Sequence, residues 1–273
     1  MADSVLKSQP APSSRICRLP DDVVNQIAAG EVIERPAAVV KELVENALDA
    51  GARRIRVRIE DGGLSRIIVE DDGHGMDAEE LTLCVQRHAT SKLSVSLDGG
   101  GVDLLNISTM GFRGEALPSI GAVARLSISS RAAGSTEAYA IVVDGGAYND
   151  PSPCAWSGAR SGCRIEVENL FSRTPARLKF MRSERAESLA VSDVMRRLAL
   201  ANPACGFVLE NGERAVFRIE AEADAETASL LARAGAILGR EFRENAIEID
   251  AVRDDVRVFG FAGLPTFSRG SAQ

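Results

Sequence analysis

Three polar residues capable of chemistry share one stripe in VVKELVENALDAGA, residues 39–52. With Glu42 at zero on a helical wheel turning about 100° per residue, Asn46 falls at about 40° and Asp49 at about −20°. A carboxylate can activate water, and an amide oxygen can bind a hard cation. The stripe is equally typical of the solvated side of an amphipathic helix, so it indicates a site only if other segments contribute residues of the right type.

A glycine-containing turn is the first segment that can contribute residues to such a site. In EDDGHGM, residues 70–76, the Asp71 carboxylate follows a predicted strand and stands beside Gly73 and Gly75. It can accept a hydrogen bond from the exocyclic amine of a base, while the glycines let a flat ring approach the backbone. The alternative interpretation is a plain turn, since Asp and Gly are common turn residues.

Two further segments can hold phosphate. GFRGEALPSIGAVA, residues 111–124, places Gly111 and Gly114 before a helical run, where unpaired backbone N–H groups attract anions. In RHATSK, residues 87–92, Thr90 and Lys92 can reach phosphate oxygens. The chain has neither a Walker A motif nor a G-x-G-x-x-G between strand and helix, which argues against a dehydrogenase-like fold. Any nucleotide would bind by other means.

The elements that must position these residues predict an α+β fold, with antiparallel strands in one sheet and helices packed on one face. Apolar spacing predicts a helix over residues 36–50. Asp77 and Glu80 have the spacing of a capping box, which predicts a helix to about His88. Alternation and turn residues predict strands at 54–60, 65–70, 125–131, 138–146, 163–170 and 206–212, and apolar spacing predicts a helix at 185–201.

Three regions are expected along the chain. Residues 1–14 are polar and aperiodic and predict a disordered tail. Residues 15–220 form the main domain, in which 91–110 has little regular pattern and predicts a mobile loop with some helix in its second half. Residues 221–273 begin a new, truncated unit with one helix and two strands.

Composition narrows the functional classes. The chain has 273 residues, 45% hydrophobic and 26% charged, which predicts a soluble protein, and no apolar run approaches the roughly 20 residues of a membrane span. Five dispersed cysteines and two histidines disfavour a zinc site or a disulfide framework and favour the cytoplasm. The net charge of −7 repels nucleic acid on average. DNA contact would therefore need the basic run RTPARLKFMRSER, residues 173–185, whose alternative interpretation is a solvated helix face.

Five motifs in order resemble the MutL family of DNA mismatch-repair proteins, within the wider GHKL group of gyrase, heat-shock chaperone and histidine-kinase ATP-binding domains. The motifs are NQIAAGEVIERPAAVVKELVENALDAGA, DDGHGM, RHATSK, GFRGEAL and TPARLKF. The match extends over residues 16–180 and continues weakly to the end. The resemblance implies a Bergerat (GHKL) ATP-binding sandwich, followed by the truncated start of a second α/β domain of ribosomal-protein-S5-like type.

The resemblance also implies roles for matching residues. Glu42 would be the general base, Asn46 the ligand of Mg²⁺, and Asp71 the acceptor of the adenine amine, with Asp49, Gly75 and Met76 beside the base. The 91–110 loop would be the ATP lid. We expect His88 to be a packing or lid-anchoring residue rather than a metal ligand, and His74 to have no chemical role. The implied phosphate-binding residues are Thr90, Ser91, Lys92, Gly111, Phe112, Arg113, Gly114, Glu115, Ala116 and Leu117.

For the whole protein, the resemblance implies a slow ATPase that acts as a clamp. ATP would drive homodimerisation, with residues 16–20 exchanged between subunits. Expected partners are a MutS-like mismatch-recognition protein, a downstream repair helicase or endonuclease, and weakly bound, non-specific DNA, in a bacterial cytoplasm near the nucleoid and without a membrane. A second-domain lysine that reaches the γ-phosphate has its motif beyond Gln273, so we expect weak or no turnover from this chain. The alternatives are a topoisomerase subunit or chaperone of the GHKL group, and a non-catalytic nucleotide-dependent module.

Overall fold

The computed structural model describes residues 18–90, 92, 114–222 and 227–266. It begins with two helices, α1 (Asp21–Val32) and α2 (Pro36–Asp49). Pro36 lies in the first turn of α2, where its missing N–H removes no helical hydrogen bond. The predicted 36–50 helix is confirmed to within one residue. Its buried side consists of Pro36, Ala37, Val39, Val40, Leu43, Val44 and Ala47.

The predicted hairpin follows α2. Strands β1 (Arg54–Glu60) and β2 (Arg66–Asp71) pair antiparallel, and Ile55 lies opposite Asp71. A 3₁₀ turn at Asp61–Gly63 joins them, and Gly62 and Gly63 both have positive φ, which glycine adopts without strain. The alternating side chains of β1 are buried, so the hairpin fixes the position of Asp71 at a strand end against the core.

The capping box is present at helix α3 (Ala78–Cys84). The Glu80 backbone N–H donates to Asp77 Oδ1 at 2.9 Å, and the Asp77 N–H donates to Glu80 Oε2 at 3.0 Å. The prediction that this helix reaches about His88 is wrong, because the helix ends at Cys84. His88 has φ of 62°, which is incompatible with a right-handed helix and turns the chain toward Gly114.

The elements after α3 are α4 (Ala116–Val123), β3 (Arg125–Arg131), β4 (Tyr139–Asp144), β5 (Ala147–Tyr148), β6 (Ser152–Pro153), β7 (Gly162–Glu168), α5 (Pro175–Leu178), α6 (Glu184–Ala201), β8 (Gly206–Asn211) and β9 (Arg214–Ile219).

One mixed sheet contains nine of the described strands, in the order β5-β4-β3-β7-β2-β1-β8-β9, with β6 beside β4. All the pairings in it are antiparallel except that of β1 with β8, which is parallel. Helix α6 connects β7 to β8, and through this crossover β8 runs in the same direction as β7 and β1.

The two faces of this sheet differ in character. The apolar face packs with α2, α4 and α6 into a single core that includes Val57, Val69, Leu126 and Phe207. The other face carries arginines that pair with carboxylates on neighbouring strands, for example Arg58 with Glu210 at 3.0 Å. The helices therefore lie on one side, as expected, and the elements that carry the candidate site lie among them.

A second set of elements follows the large sheet: α7 (Thr227–Leu238), α8 (Arg240–Glu244), β10 (Ala246–Arg253) and β11 (Val256–Gly263). The strands β10 and β11 form a separate antiparallel pair. Arg233 joins α7 to the preceding fold, since its buried guanidinium donates to the backbone carbonyls of Ala199, Asn202, Cys205 and Glu220. The domain boundary at residue 221 stays a prediction, and the predicted tail and the 91–110 loop lie outside the described residues, except for Lys92.

Candidate nucleotide-binding site

The polar stripe of α2 meets Lys92. The ammonium of Lys92 donates hydrogen bonds to Asn46 Oδ1 at 2.7 Å and to Asp49 Oδ2 at 2.5 Å. Only 12% of the Asp49 side chain and 18% of the Lys92 side chain are exposed. Glu42 lies one turn before Asn46, keeps 30% of its side chain exposed, and is 3.5 Å from the Lys41 ammonium. Glu42 is therefore accessible to solvent beside a pair of oxygens that already holds a cation.

Asp71 is a largely buried acid at the end of β2. Its Oδ1 accepts a hydrogen bond from the Gly73 N–H at 2.8 Å, and the Cys163 N–H also donates to its carboxyl. Burial raises the pKa of Asp71 from 3.8 to about 6, although the two backbone donors favour the ionised form. At neutral pH the site therefore presents an ionised, largely desolvated acceptor.

The turn after Asp71 is fixed against the end of α2, strand β3 and the loop before β7. The His74 N–H donates to the carbonyl of Ala50, the residue after the stripe, at 3.0 Å. Ser161 Oγ donates to the Gly73 carbonyl at 2.8 Å, and the Met76 N–H donates to Ser130 Oγ at 2.7 Å. Hydrogen bonds therefore connect the turn after Asp71 directly to the end of the helix that carries the stripe.

Gly75 is required in this turn for two reasons. Its φ is 69°, and a Cβ there would lie 2.0 Å from the Arg131 carbonyl oxygen. A side chain would therefore be strained and would also push the turn away from β3. Beyond the predicted access of a base, this close backbone approach therefore also requires glycine at position 75.

Ala89 and Gly114, which flank the predicted loop, lie close together. Gly114 has φ of 61°, and a Cβ on it would lie 2.4 Å from the Ala89 carbonyl oxygen. Glu115 precedes the first turn of α4, with its Oε1 3.5 Å from His88 Nδ1. Thr90 Oγ1 accepts from the Lys92 N–H at 3.1 Å. The N-terminus of α4, with Ala116 and Leu117, is thus near Thr90, whereas Ser91, Gly111, Phe112 and Arg113 lie outside the described residues.

The donor set fits a hard cation. Asn46 Oδ1 and Asp49 Oδ2 converge on the Lys92 ammonium, which occupies the position of a positive ion between two oxygens. Mg²⁺ prefers such oxygens and keeps several waters or phosphate oxygens as its other ligands. Within the described parts of the chain, no group of three or more His, Cys, Asp or Glu residues is placed to hold a metal alone.

Comparisons with known proteins identify the family. Residues 34–147, which include the stripe and Asp71, match the family described as histidine kinase-, DNA gyrase B-, and HSP90-like ATPase. The DNA mismatch repair protein MutL of Caulobacter vibrioides (strain NA1000 / CB15N) is 58% identical over 257 residues, covering 94% of this chain. MutL of Phenylobacterium zucineum (strain HLK1) is 58% identical over 261 residues, also covering 94%. The chain belongs to the MutL family.

The matched region is the N-terminal part of MutL, and the chain spans about 40% of the length of these curated relatives. A solved structure, the Aquifex aeolicus MutL ATPase domain complexed with ADP, is 28% identical with a TM-score of 0.61, covering 81% of this chain and 73% of that one. A second, the N-terminal domain of a DNA repair protein, is 23% identical with a TM-score of 0.69 and covers 87% of this chain and 70% of that one. The expected GHKL fold is confirmed, and the relatives disfavour a topoisomerase subunit or chaperone.

The basic run of this MutL-family chain divides into two parts. Arg173 pairs with Asp144 at 2.7 Å, and Arg177 donates to the Gly30 carbonyl of α1 at 3.0 Å. The other cations are exposed and form no ion pair within the described residues: Lys179, Arg182 and Arg185. No helix in the described parts of this MutL-family chain is both long enough and apolar enough to span a membrane.

Proposed function

We propose that this MutL-family chain binds ATP with Mg²⁺ and hydrolyses it slowly, as the N-terminal part of a DNA mismatch-repair protein in the bacterial cytoplasm. One observation carries the proposal: the turn after Asp71 is bonded to the carbonyl of Ala50, directly after the Glu42–Asn46–Asp49 stripe. A base acceptor and a cation-binding oxygen pair are thereby held at the same end of α2. The ADP complex of the Aquifex aeolicus relative supports a nucleotide at this fold.

Adenine recognition is assigned to the Asp71 side. Its buried, ionised carboxylate accepts a hydrogen bond from the exocyclic amine, which a protonated or amide group does less well. Gly75 and Met76 border the base, and Asp49 lies on the α2 side. Because the acceptor is largely desolvated, a base without the amine loses this hydrogen bond and binds more weakly.

Phosphate binding is assigned to the region between α2 and α4. The proposed donors are Thr90, Lys92 and the start of α4 from Gly114, with Ser91 and residues 111–113 from the undescribed segment. When bound, Mg²⁺ held by Asn46 would neutralise phosphate charge. Glu42, solvent-accessible and one turn away, orients and deprotonates the attacking water.

A substitution at Glu42 tests the catalytic role. In a protein of the full length of the curated relatives, Glu42→Ala is expected to bind ADP like the wild type in calorimetry and to lose at least about 100-fold in ATP hydrolysis. Glu45→Ala is the matched control, because Glu45 is the next carboxylate on α2 and pairs with Lys41 at 2.8 Å. Hydrolysis retained in Glu42→Ala, or absent ADP binding in the wild type, would overturn the proposal.

We further propose that ATP drives homodimerisation into a clamp that contacts a MutS-like mismatch-recognition protein, a downstream helicase or endonuclease, and DNA weakly. The support is the family membership together with the position of α1 beside α4, whose N-terminus borders the proposed phosphate site. A longer protein titrated with a non-hydrolysable ATP analogue is expected to double its mass in light scattering. A mass that stays monomeric at saturating analogue would contradict the clamp.

A further inference from the structure

The contacts of Lys92 with Asn46 and Asp49 indicate a role for this side chain beyond phosphate binding. Its ammonium lies between Asn46 Oδ1 at 2.7 Å and Asp49 Oδ2 at 2.5 Å, one helical turn apart on α2. The backbone of Lys92 is also held, because its N–H donates to Thr90 Oγ1 at 3.1 Å. With 18% of the Lys92 side chain and 12% of the Asp49 side chain exposed, the interaction is partly shielded from solvent. Shielding makes such charge-assisted hydrogen bonds stronger than those of a surface ion pair.

The contact excludes a divalent cation from the same oxygen. Asn46 Oδ1 is the atom assigned to Mg²⁺, and an ammonium at 2.7 Å from it occupies the space of the ion. A divalent ion bound to Asn46 Oδ1 and the Lys92 ammonium would also repel each other at such short range. Lys92 and the metal therefore bind Asn46 in alternative states.

We propose that Lys92 is a positioning residue that serves as a resident cation, neutralising Asp49 and orienting Asn46 in the nucleotide-free protein until a divalent ion replaces it. This inference rests on the proposed function for the identity of the replacing ion. Before any metal is bound, Lys92 keeps Asn46 Oδ1 in the orientation that a metal would need. It also delays the binding of a divalent ion until phosphate oxygens supply further ligands. The released ammonium is then available to a phosphate group, which links the two roles of one side chain.

The first test uses Mn²⁺ alone, followed by electron paramagnetic resonance, on nucleotide-free wild type and Lys92→Met. Removing the competing ammonium is expected to tighten Mn²⁺ binding at least about fivefold. Lys179→Met is the charge-matched control and should bind Mn²⁺ like the wild type. The gain should vanish in the double variant Lys92→Met/Asn46→Ala. Unchanged affinity in Lys92→Met, or a gain that persists in the double variant, would overturn the proposal.

A second measurement uses the wild-type protein, so it does not depend on the folding of Lys92→Met. Lysine acetylation followed by mass spectrometry should modify Lys92 several-fold more slowly than Lys41, whose side chain is 49% exposed. In Asn46→Ala, Lys92 should react faster than in the wild type. Equal rates for Lys92 and Lys41 in the wild type would contradict the proposal. Neither measurement contains nucleotide, so absent ADP binding counts against the proposed function and not against Lys92.

Discussion

Asp71 is largely buried and yet ionised at neutral pH. Its pKa rises from 3.8 to about 6 because burial penalises the ionised form more than the Gly73 and Cys163 backbone donors favour it. At neutral pH the folded protein therefore bears the free-energy cost of a buried carboxylate. A perturbed acid of this kind beside a glycine turn is typical of a functional site. The cost is understandable if the carboxylate accepts a hydrogen bond from a ligand.

This cost predicts opposite changes in stability and binding for Asp71→Asn. Since the folded-state pKa is raised, the contribution of Asp71 to stability is fully present below pH 3.8 and is lost as the pH rises to about 6. At pH 8 the variant is expected to be more stable than the wild type by about 2 kcal/mol in urea unfolding, with the difference disappearing below about pH 4. Its affinity for ADP should fall at least about tenfold.

Asp72→Asn is the control, because it removes the same charge one residue away. Asp72 Oδ1 accepts hydrogen bonds from the Arg53 and Arg54 N–H groups, both at 2.7 Å, and an asparagine oxygen can still accept them. This control is expected to bind ADP like the wild type. If Asp71→Asn retained full ADP affinity, or lost stability at pH 8, the assignment of Asp71 would be wrong.

The sequence predicts the candidate site residues by type but does not predict the residues that hold them in place. Asp71 was identifiable because a carboxylate beside glycines follows a predicted strand. Ser130 and Ser161, which hold the turn, come from β3 and the loop before β7, and only strand register brings them near. The Lys92 contact with Asn46 spans 46 residues of sequence, so local pattern could predict a phosphate ligand but not this partner.

Among the elements, the joint between α2 and α6 positions the helix that carries Glu42, the proposed general base. Arg35, at the N-terminal cap of α2, donates from Nε and an Nη to Glu187 Oε2 at 3.0 and 2.9 Å. Glu187 is 1% exposed, and its other oxygen accepts from the Arg182 N–H at 3.1 Å. One buried carboxylate thereby ties the start of α2 to the segment that carries the exposed basic residues.

Glu187→Gln is expected to destabilise the protein by about 2 kcal/mol in urea unfolding. Removing one member of a buried pair leaves its partner without compensation, and the 30% exposure of the Arg35 side chain limits the penalty. Asp144→Asn, which breaks the exposed pair with Arg173, should cost less than about 1 kcal/mol. Equal losses in the two variants would contradict the special role of the joint.

Elements with strong local signals were predictable, and those defined by distant partners were not. The α2 helix and the capped α3 helix carry apolar spacing and a capping box, and the structure contains both. Helix α1 was missed because Pro20 provides no side-chain cap and several of its apolar residues, including Ile27, face outward. The parallel pairing of β1 with β8 joins residues about 150 positions apart, which no local pattern encodes.

For the whole molecule, the charge distribution decides which of two surfaces rich in basic residues is the better candidate for DNA contact. The open face of the sheet is rich in arginine, but its cations are compensated by neighbours, as where Arg66 lies 3.0 Å from Glu166. The exposed Lys179, Arg182 and Arg185 form no ion pair within the described residues. A molecule with net charge −7 can therefore attract a polyanion at the second region while repelling it elsewhere.

DNA binding should accordingly be weak, independent of sequence and steeply salt-dependent. If the three exposed cations contact phosphates, neutralising all three should reduce the slope of log K against log salt by about 2 to 3, measured by fluorescence anisotropy from 50 to 200 mM salt. A matched triple variant removes three compensated arginines from the sheet face and should leave the slope nearly unchanged: Arg58→Gln, Arg125→Gln and Arg218→Gln. Equal losses in both triple variants would indicate a response to net charge alone. A flat salt response in the wild type would remove the 179–185 region from the DNA interface.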